Sequence, residues 1–367
     1  MMNKFSNNKV NSKNKIILNI ITIIVFATIL TLLDIDVIGD NYVKRVLNTS
    51  AIYAIVSVSM NLVNGFTGLF SLGQAGFMAI GAYVVAIFSV PIEKRASIFY
   101  VIDQNPVLAQ IELPFFVALI LGGLLAAFIA ILIGIPVLRL KSDYLAIATL
   151  GFSEIIRIVI TNAQPITNGA LGIKSIPEMP SMWIFFIAMI LSIIFIKLLI
   201  NSSYGRAFKA IREDDIAAEA MGINLFKHKV LSFAIGAFFA GIGGGLLASL
   251  VGSVAPNQFN ITMTYNFLLI IVLGGMGSVS GTIISSFVVT VGLELLRFFD
   301  DTLVIFGVTI PIFRAGFRMV IFSVILMVLV LFFRHGILGQ KELSWDMIKG
   351  WINKKGLRKK KDKGGVV

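Results

Sequence analysis

The sequence predicts an all-α fold: a polytopic membrane helix bundle of about ten transmembrane helices, some interrupted by glycine, with one helical insert on the cytoplasmic side. Three observations predict it. Of the 367 residues, 57% are hydrophobic and only 14% charged, whereas soluble domains are about half apolar and about a quarter charged. The charges cluster between long apolar runs, giving a mean hydropathy of +0.93. Alternation of period two is absent, which argues against a transmembrane barrel.

The chain opens on a basic, polar stretch, MMNKFSNNKVNSKNK, followed by the apolar run 16–33. These resemble the first two regions of a signal peptide. The run is too long for that, and Asp34-Ile35-Asp36 stand where a small-residue cleavage site belongs, so a retained first helix is expected. Windows long enough to cross a bilayer, about 20 residues, recur at 45–64, 114–138, 182–200, 230–251 and 317–333. Three further regions are ambiguous. Residues 68–90 begin with a glycine-broken half and continue as a helix, and 143–162 carry Glu154 and Arg157. Residues 262–297 are too long for one span and contain GGMGS (Gly274–Ser278), so they divide in two.

Charge sets the expected orientation. With the N-terminus inside, cytoplasmic segments hold Lys4, Lys9, Lys13 and Lys15, then Arg139 and Lys141, then Arg206, Lys209, Arg212, Lys227 and Lys229, then the basic C-terminus. The other side holds Lys44, Arg45, Lys94, Arg95, Lys174 and a few arginines of the last loop. This asymmetry follows the positive-inside rule and puts both termini in the cytoplasm. The expected organisation is a basic N-tail (1–15), a transmembrane domain (16–333) containing a cytoplasmic loop (201–229), and a basic C-tail (334–367).

The net charge of +12 does not point to nucleic acid. Much of it lies in the tail around KKGLRKKKDK (Lys354–Lys363), which reads as a polybasic segment near anionic lipid; nucleic-acid binders interleave basic and aromatic residues on a folded surface. Cysteine is absent, and His228 and His335 stand alone beside basic residues at membrane boundaries, where solvated interface residues are expected. There is no G-x-x-x-x-G-K-[ST] phosphate loop, no Ser/His/Asp set and no carboxylate cluster with metal-like spacing. Catalysis, a metal and a bound cofactor are therefore not expected on this chain.

Candidate functional residues fall into two groups. The first lines a candidate translocation pathway. Asn61, Asn64, Ser71, Gly73 and Gln74 belong to a glycine-dense polar stretch within a span, and Gly275 and Ser278 to a counterpart in the second half. Broken helices free backbone groups that hydrocarbon tolerates only around a protein-enclosed cavity, and paired breaks in two halves point to a translocation path. Packing of small residues is the plain alternative. Glu154 and Arg157 share a helix face at i,i+3, as a structural pair or as groups facing the pathway; Glu294 and Arg297 lie near the outer boundary, where anchoring is expected. In Val230–Val251 small residues recur every fourth position (Gly236, Ala240, Gly244, Ala248), a pattern for close helix packing. The outer loops 91–114 and 164–181 are long enough to dock a partner or simply to connect.

The second group is NSSYGRAFKAIREDDIAAEAMGINLFKHK (Asn201–Lys229), where an apolar chain turns polar for far longer than a connection needs. A short helix, a turn at Gly222 and a second short helix leading to Val230 are expected. Small side chains let such a helix enter a partner's groove while the charges fix its register; a solvated helix on the membrane surface is the bland reading.

Asp215–Gly222 resembles the E-A-A-x-x-x-G loop of ABC importer permeases, with Ala217, Ala218 and Gly222 matching and Ile216 replacing the leading glutamate. Longer stretches are similar to the LivM-type permease subunit of branched-chain amino-acid ABC importers: NLVNGFTGLFSLGQAGFMAIGAY (Asn61–Tyr83), YLAIATLGFSEIIRIVITN (Tyr144–Asn162), TNGALGI (Thr167–Ile173), SYGRAFKAIREDDIAAEAMGIN (Ser203–Asn224) and LGGMGSVSGTI (Leu273–Ile283). The resemblance runs from about Arg45 to Phe333. It implies an ATPase-coupling loop carried by Arg206, Arg212, Glu213, Asp215, Ala217, Ala218, Met221 and Gly222, with Glu213 or Asp215 in place of the missing glutamate. It also implies a heterodimer with a LivH-type permease, two cytoplasmic ABC ATPase subunits that hold the ATP, and an extracytoplasmic amino-acid-binding protein. Leu, Ile and Val are the implied cargo. Relatives carry urea, amides, sugars or nucleosides, and an ATPase-independent secondary transporter is the alternative from another class.

Overall fold

The structure, a computed structural model, describes residues 12–35, 40–140, 142–179 and 181–297, with short pieces at 304–305, 308–309, 320–324, 327, 336–339 and 342–343. The tails 1–11 and 344–367, and most of the expected last span 317–333, lie outside the described residues, as does His335.

The described chain is a helix bundle. Helix α1 (Ser12–Asp34) is followed by α2 (Asn41–Asn61), which widens into a π-turn (Leu62–Phe66) before α3 (Gln74–Ser89). Two short helices, α4 (Ile92–Ile98) and α5 (Pro106–Ala109), lead to α6 (Phe115–Val137) and α7 (Ser142–Asn162). After α8 (Gln164–Thr167) and strand β1 (Ile173–Lys174) come α9 (Met182–Asn201), α10 (Ser203–Glu213), α11 (Asp215–Ala220) and α12 (Leu225–Val251). Strand β2 (Ser253–Val254), α13 (Ile261–Gly274) and α14 (Val279–Leu295) follow, and β3 (Val304–Ile305) pairs with β4 (Val308–Thr309).

Burial ranks the helices. In the most apolar window of the α2 span 78% of residues are inside the protein, and in that of α12 61%, against 33% for α6, 28% for α7 and 33% for α9. The first two are the axis of the bundle; the others turn apolar faces outward, as helices bordering lipid or another subunit do. Helix α12 meets α3, and α3 meets α6, with no side chains between them. A Cβ on Gly81 of α3 would lie 2.0 Å from the Gly241 carbonyl oxygen of α12, one on Gly244 2.0 Å from that of Met78, and one on Gly122 of α6 3.0 Å from that of Gly81. The small-residue row of Val230–Val251 thus packs, as read from the sequence, and brings α3, α6 and α12 together at backbone distance.

The expected spans meet the structure in detail. Among the described residues, five helices are long and apolar enough to cross a membrane, or six if α3 and α4, bent by 117°, count as one span. Of the other five windows, those of α3, α13 and α14, at 16, 14 and 17 residues, each share their length with a turn. The first window is met by α1, with Ile24–Asp34 as its apolar part, and most of the last lies outside the described residues. The division of 262–297 at GGMGS and the helix start after the glycine-dense stretch at 68–73 both stand.

The described parts of the two long loops carry short helices and a strand of their own. Strand β1 pairs antiparallel with β2, Ile173 facing Val254. Asn168, at φ 58°, donates to the carbonyls of Ile98 and Gly172. Arg95 is buried, with its guanidinium on the carbonyls of Val90, Leu108 and Ile111. Burial draws that guanidinium below its usual pKa while the Glu112 carboxylate opposes the shift, and an arginine so displaced keeps its charge.

Candidate functional site

The polar insert folds as a bracket at one end of the bundle. Helix α10 is amphipathic, burying Gly205, Ala207, Phe208 and Ile211. It stops at Asp214, whose extended backbone turns the chain and whose carboxylate accepts from the amides of Ile216 (2.8 Å) and Ala217 (3.0 Å) to cap α11. Gly222, at φ +81°, ends α11, and the Ile223 amide reaches back to the Ala218 carbonyl. The expectation of one helix before Gly222 and a separate short helix after it is corrected here. The capping aspartate splits the first helix in two, and the second is the first turns of α12, started by Asn224 accepting from the Lys227 amide.

Within this bracket the matched residues diverge. Ala218 faces inward at 3% exposure, whereas Ile216 and Met221 are 81% and 83% exposed, and Arg206 and Ala217 are also exposed. Both acids proposed to replace the missing glutamate already have partners in this chain. Asp215 pairs with Lys229 at 2.6 Å, tying α11 to α12, and Glu213 pairs with Arg212. Removing the cap by Asp214→Ala should cost about 1 kcal/mol, measured as faster amide hydrogen exchange at Ile216 and Ala217 with the rest of the bundle unchanged.

Arg212 joins the bracket to both glycine breaks. Its Nη1 donates to the Gly65 carbonyl at 3.0 Å, its stem lies against Gly68, and the same Nη1 would be 3.0 Å from a Cβ on Gly277. Asn61 joins the breaks to each other: its Nδ2 donates to the Ser278 carbonyl (3.0 Å) and Thr282 Oγ1 (2.8 Å), and its Oδ1 accepts from the Gly277 amide (2.9 Å). The turn itself needs glycine, since Gly275 and Gly277 have φ of 106° and 89°. Residues 336–339 and Glu342 close over it. Ile337 donates to the Leu273 carbonyl, and the Glu342 carboxylate accepts from the amides of Val279 and Ser280 at the start of α14.

The remaining sequence-predicted polar residues knit the first break. Asn64 exchanges two bonds with the Ser71 backbone, Gln74 donates to Ser59 Oγ (2.8 Å), and the Gly73 amide donates to Ser71 Oγ. All five candidates of this stretch are buried. Glu154 and Arg157 form an ion pair at 2.8 Å, each about a quarter exposed. It is Thr149 of the same helix that meets the break, accepting from the Leu72 amide, and Thr264 of α13 accepts from Ala75. Sequence reading missed Thr149, Thr264, Ser59 and Thr282, since isolated hydroxyls in apolar helices carry no spacing signal. Among the described residues no group of three metal-ligating side chains gathers.

The arrangement links the exposed bracket, through Arg212 and Asn61, to two helix breaks in the bundle. A model of the family described as the permease component of branched-chain amino-acid transport systems matches residues 42–333. The high-affinity branched-chain amino-acid transport system permease protein LivM of Escherichia coli is 35% identical over 284 residues, covering 68% of this chain and 62% of that protein. This chain thus spans about six-tenths of the length of that relative. A probable LivM of Methanocaldococcus jannaschii is 24% identical over 84% of this chain and 96% of its own length, and a ribose import permease, RbsC, of Haemophilus influenzae is 22% identical over 73% and 81%. LivH of Escherichia coli is 25% identical over 80% of this chain and 92% of its own length. No solved structure matches. With the family matched over most of its length, the chain belongs to the permease components of branched-chain amino-acid transport systems.

Proposed function

We propose that this chain is the membrane-spanning permease subunit of an ATP-driven ABC importer that carries leucine, isoleucine and valine across the bacterial cytoplasmic membrane. Its partners in this reading are a LivH-type permease, two cytoplasmic ATPase subunits and an extracytoplasmic amino-acid-binding protein. The observation that carries the reading is the bracket. Two large apolar side chains, Ile216 and Met221, stand in water on a short capped helix, a disposition suited to a partner's groove. Nothing lies within 4 Å of the place where a Cβ on Gly222 would project, so that face is open. The bracket then faces the cytoplasm, in keeping with its basic residues, and β1, β2 and α4 face outward.

The mechanism follows from the links. ATP on the partner subunits draws them together and displaces α10 and α11. Arg212 passes the motion to Gly65 and Gly277, and Asn61 makes the two breaks move as one. The segments around Ser71 and Gly275 then shift relative to α12, and the solute passes inward. This chain needs no nucleotide of its own.

Purification from detergent-solubilised membranes of the source cells, with the chain tagged, tests the reading. The chain should co-purify with two ATPase subunits and a second permease, and the reconstituted complex should take up leucine only with ATP and the binding protein. The likeness to a ribose permease makes ribose the competing cargo to assay beside it. Uptake by the purified chain alone, driven by an ion gradient, would refute the proposal.

A further inference from the structure

The geometry points to an amino-acid-binding vestibule between the start of α2 and the end of α14, at the end of the bundle opposite the bracket. A cavity of about 290 Å³ opens there, lined by Tyr42, Arg45, Thr49, Thr290, Glu294 and Arg297, with Val46 its apolar member. Its charges have both signs. Glu294 accepts from Tyr42 Oη at 2.8 Å and has Arg297 at 3.9 Å, while Arg45 forms no ion pair among the described residues. A free amino acid carries one carboxylate and one ammonium a few bonds apart. Arg45 is placed to take the first and Glu294 the second, as charge-assisted hydrogen bonds.

A second, independent observation singles out this cavity. Thr290 is 5% exposed and its Oγ1 has no hydrogen-bond partner. A buried hydroxyl left unpaired costs about 1–3 kcal/mol, and no neighbouring protein group relieves it. A solute atom in the cavity would. Thr290 also belongs to a row: Ser278, Thr282, Ser286, Thr290 and Glu294 follow one another every four residues along α14, the slanting ridge of a helix surface. Its first four members are buried, and it meets α2 at both ends, through Asn61 on Thr282 and through Thr49 at the cavity. Ser285 Oγ of α14 and Ser57 Oγ of α2 are buried without partners as well. Polar groups stranded inside a membrane protein mark solute paths, so the vestibule leads into a polar seam that ends at the Asn61 clamp. Which solute enters, and from which side, rests on the function proposed above.

The test uses the reconstituted importer with ATP and saturating binding protein, measuring labelled leucine uptake, ATP hydrolysis and thermal stability. Thr290→Val keeps the shape and removes the hydroxyl. It should lower uptake about fivefold, the worth of one hydrogen bond, with stability equal or higher and ATP hydrolysis persisting. Glu294→Gln and Arg45→Gln should each lower uptake about tenfold or more, as for a bond to a charged group. Unchanged uptake in all three variants overturns the vestibule while leaving the importer reading intact. A wild-type complex that moves no leucine shows the importer reading itself to be wrong, before any variant is made, and the vestibule falls with it. The zwitterion could also be a lipid headgroup, so each variant is assayed in vesicles with and without phosphatidylethanolamine. Equal deficits in both support an amino-acid site, and a deficit confined to the phosphatidylethanolamine vesicles overturns it.

Discussion

Replacing Ile216 and Met221 together by aspartate should lower ATP-driven uptake about thirtyfold or more, with the melting temperature of the detergent-solubilised chain unchanged. The two halves of this expectation have separate causes. Both side chains are more than four-fifths exposed, and substitutions at such positions move stability by less than about 0.5 kcal/mol. At a subunit interface, a buried apolar anchor is worth about 2 kcal/mol or more, so losing two and placing carboxylates in the partner's groove exceeds a factor of thirty. The check is uptake by the complex beside a melting curve and co-purification of the ATPases. Ala218→Asp is a poorer probe of coupling, since Ala218 is 3% exposed and a charge there disrupts the bracket itself. Ala217→Asp is the clean companion, its side chain being exposed. Normal uptake in the double variant would remove the bracket from the mechanism.

Gly81→Val should leave no folded protein in the membrane. A Cβ at this position would be 2.0 Å from the Gly241 carbonyl oxygen and 2.4 Å from its carbonyl carbon, against backbone that cannot swing away as a flexible side chain can. Helices α3 and α12 would have to separate along their contact, exposing the packing on which membrane helices rely in place of a hydrophobic driving force. The cost exceeds the 1–3 kcal/mol usual for core overpacking. Gly151→Val, on α7 with nothing within 4 Å of its Cβ position, is the matched control and should express normally. Membrane-fraction immunoblots and size-exclusion profiles distinguish the two.

The legibility of this protein in its sequence was uneven for physical reasons. Apolar runs and glycine breaks are local signals, so α2, α6, α9 and α12 and the division at Gly274–Ser278 follow from composition alone. The small-residue row of α12 likewise declared its packing, because close approach demands small side chains wherever the partner lies. The break at Asp214 was hidden: the charges of α10 and α11 read as one amphipathic run, and only the extended backbone of the capping residue separates them. The partners of Asn61 were also hidden, since Gly277, Ser278 and Thr282 stand more than two hundred residues away in the chain. Asn64, Ser71 and Gln74, proposed as pathway residues from their polarity, are engaged in bonds that shape the first break. A sequence shows that a polar group sits inside a membrane; it does not show whether that group already has a neighbour. The unpartnered hydroxyl of Thr290 became visible only once its surroundings were known.

The meeting of Gly81, Gly122 and Gly241 constrains any large motion of the molecule. Three helices touching backbone to backbone leave nothing there to compress, so that level behaves as a fulcrum of fixed width. Spreading the helices on the bracket side then draws them together on the far side, and the reverse. Under this geometry a doorway open to both compartments at once is mechanically disfavoured, and a pull applied at one face arrives at the other with inverted sign.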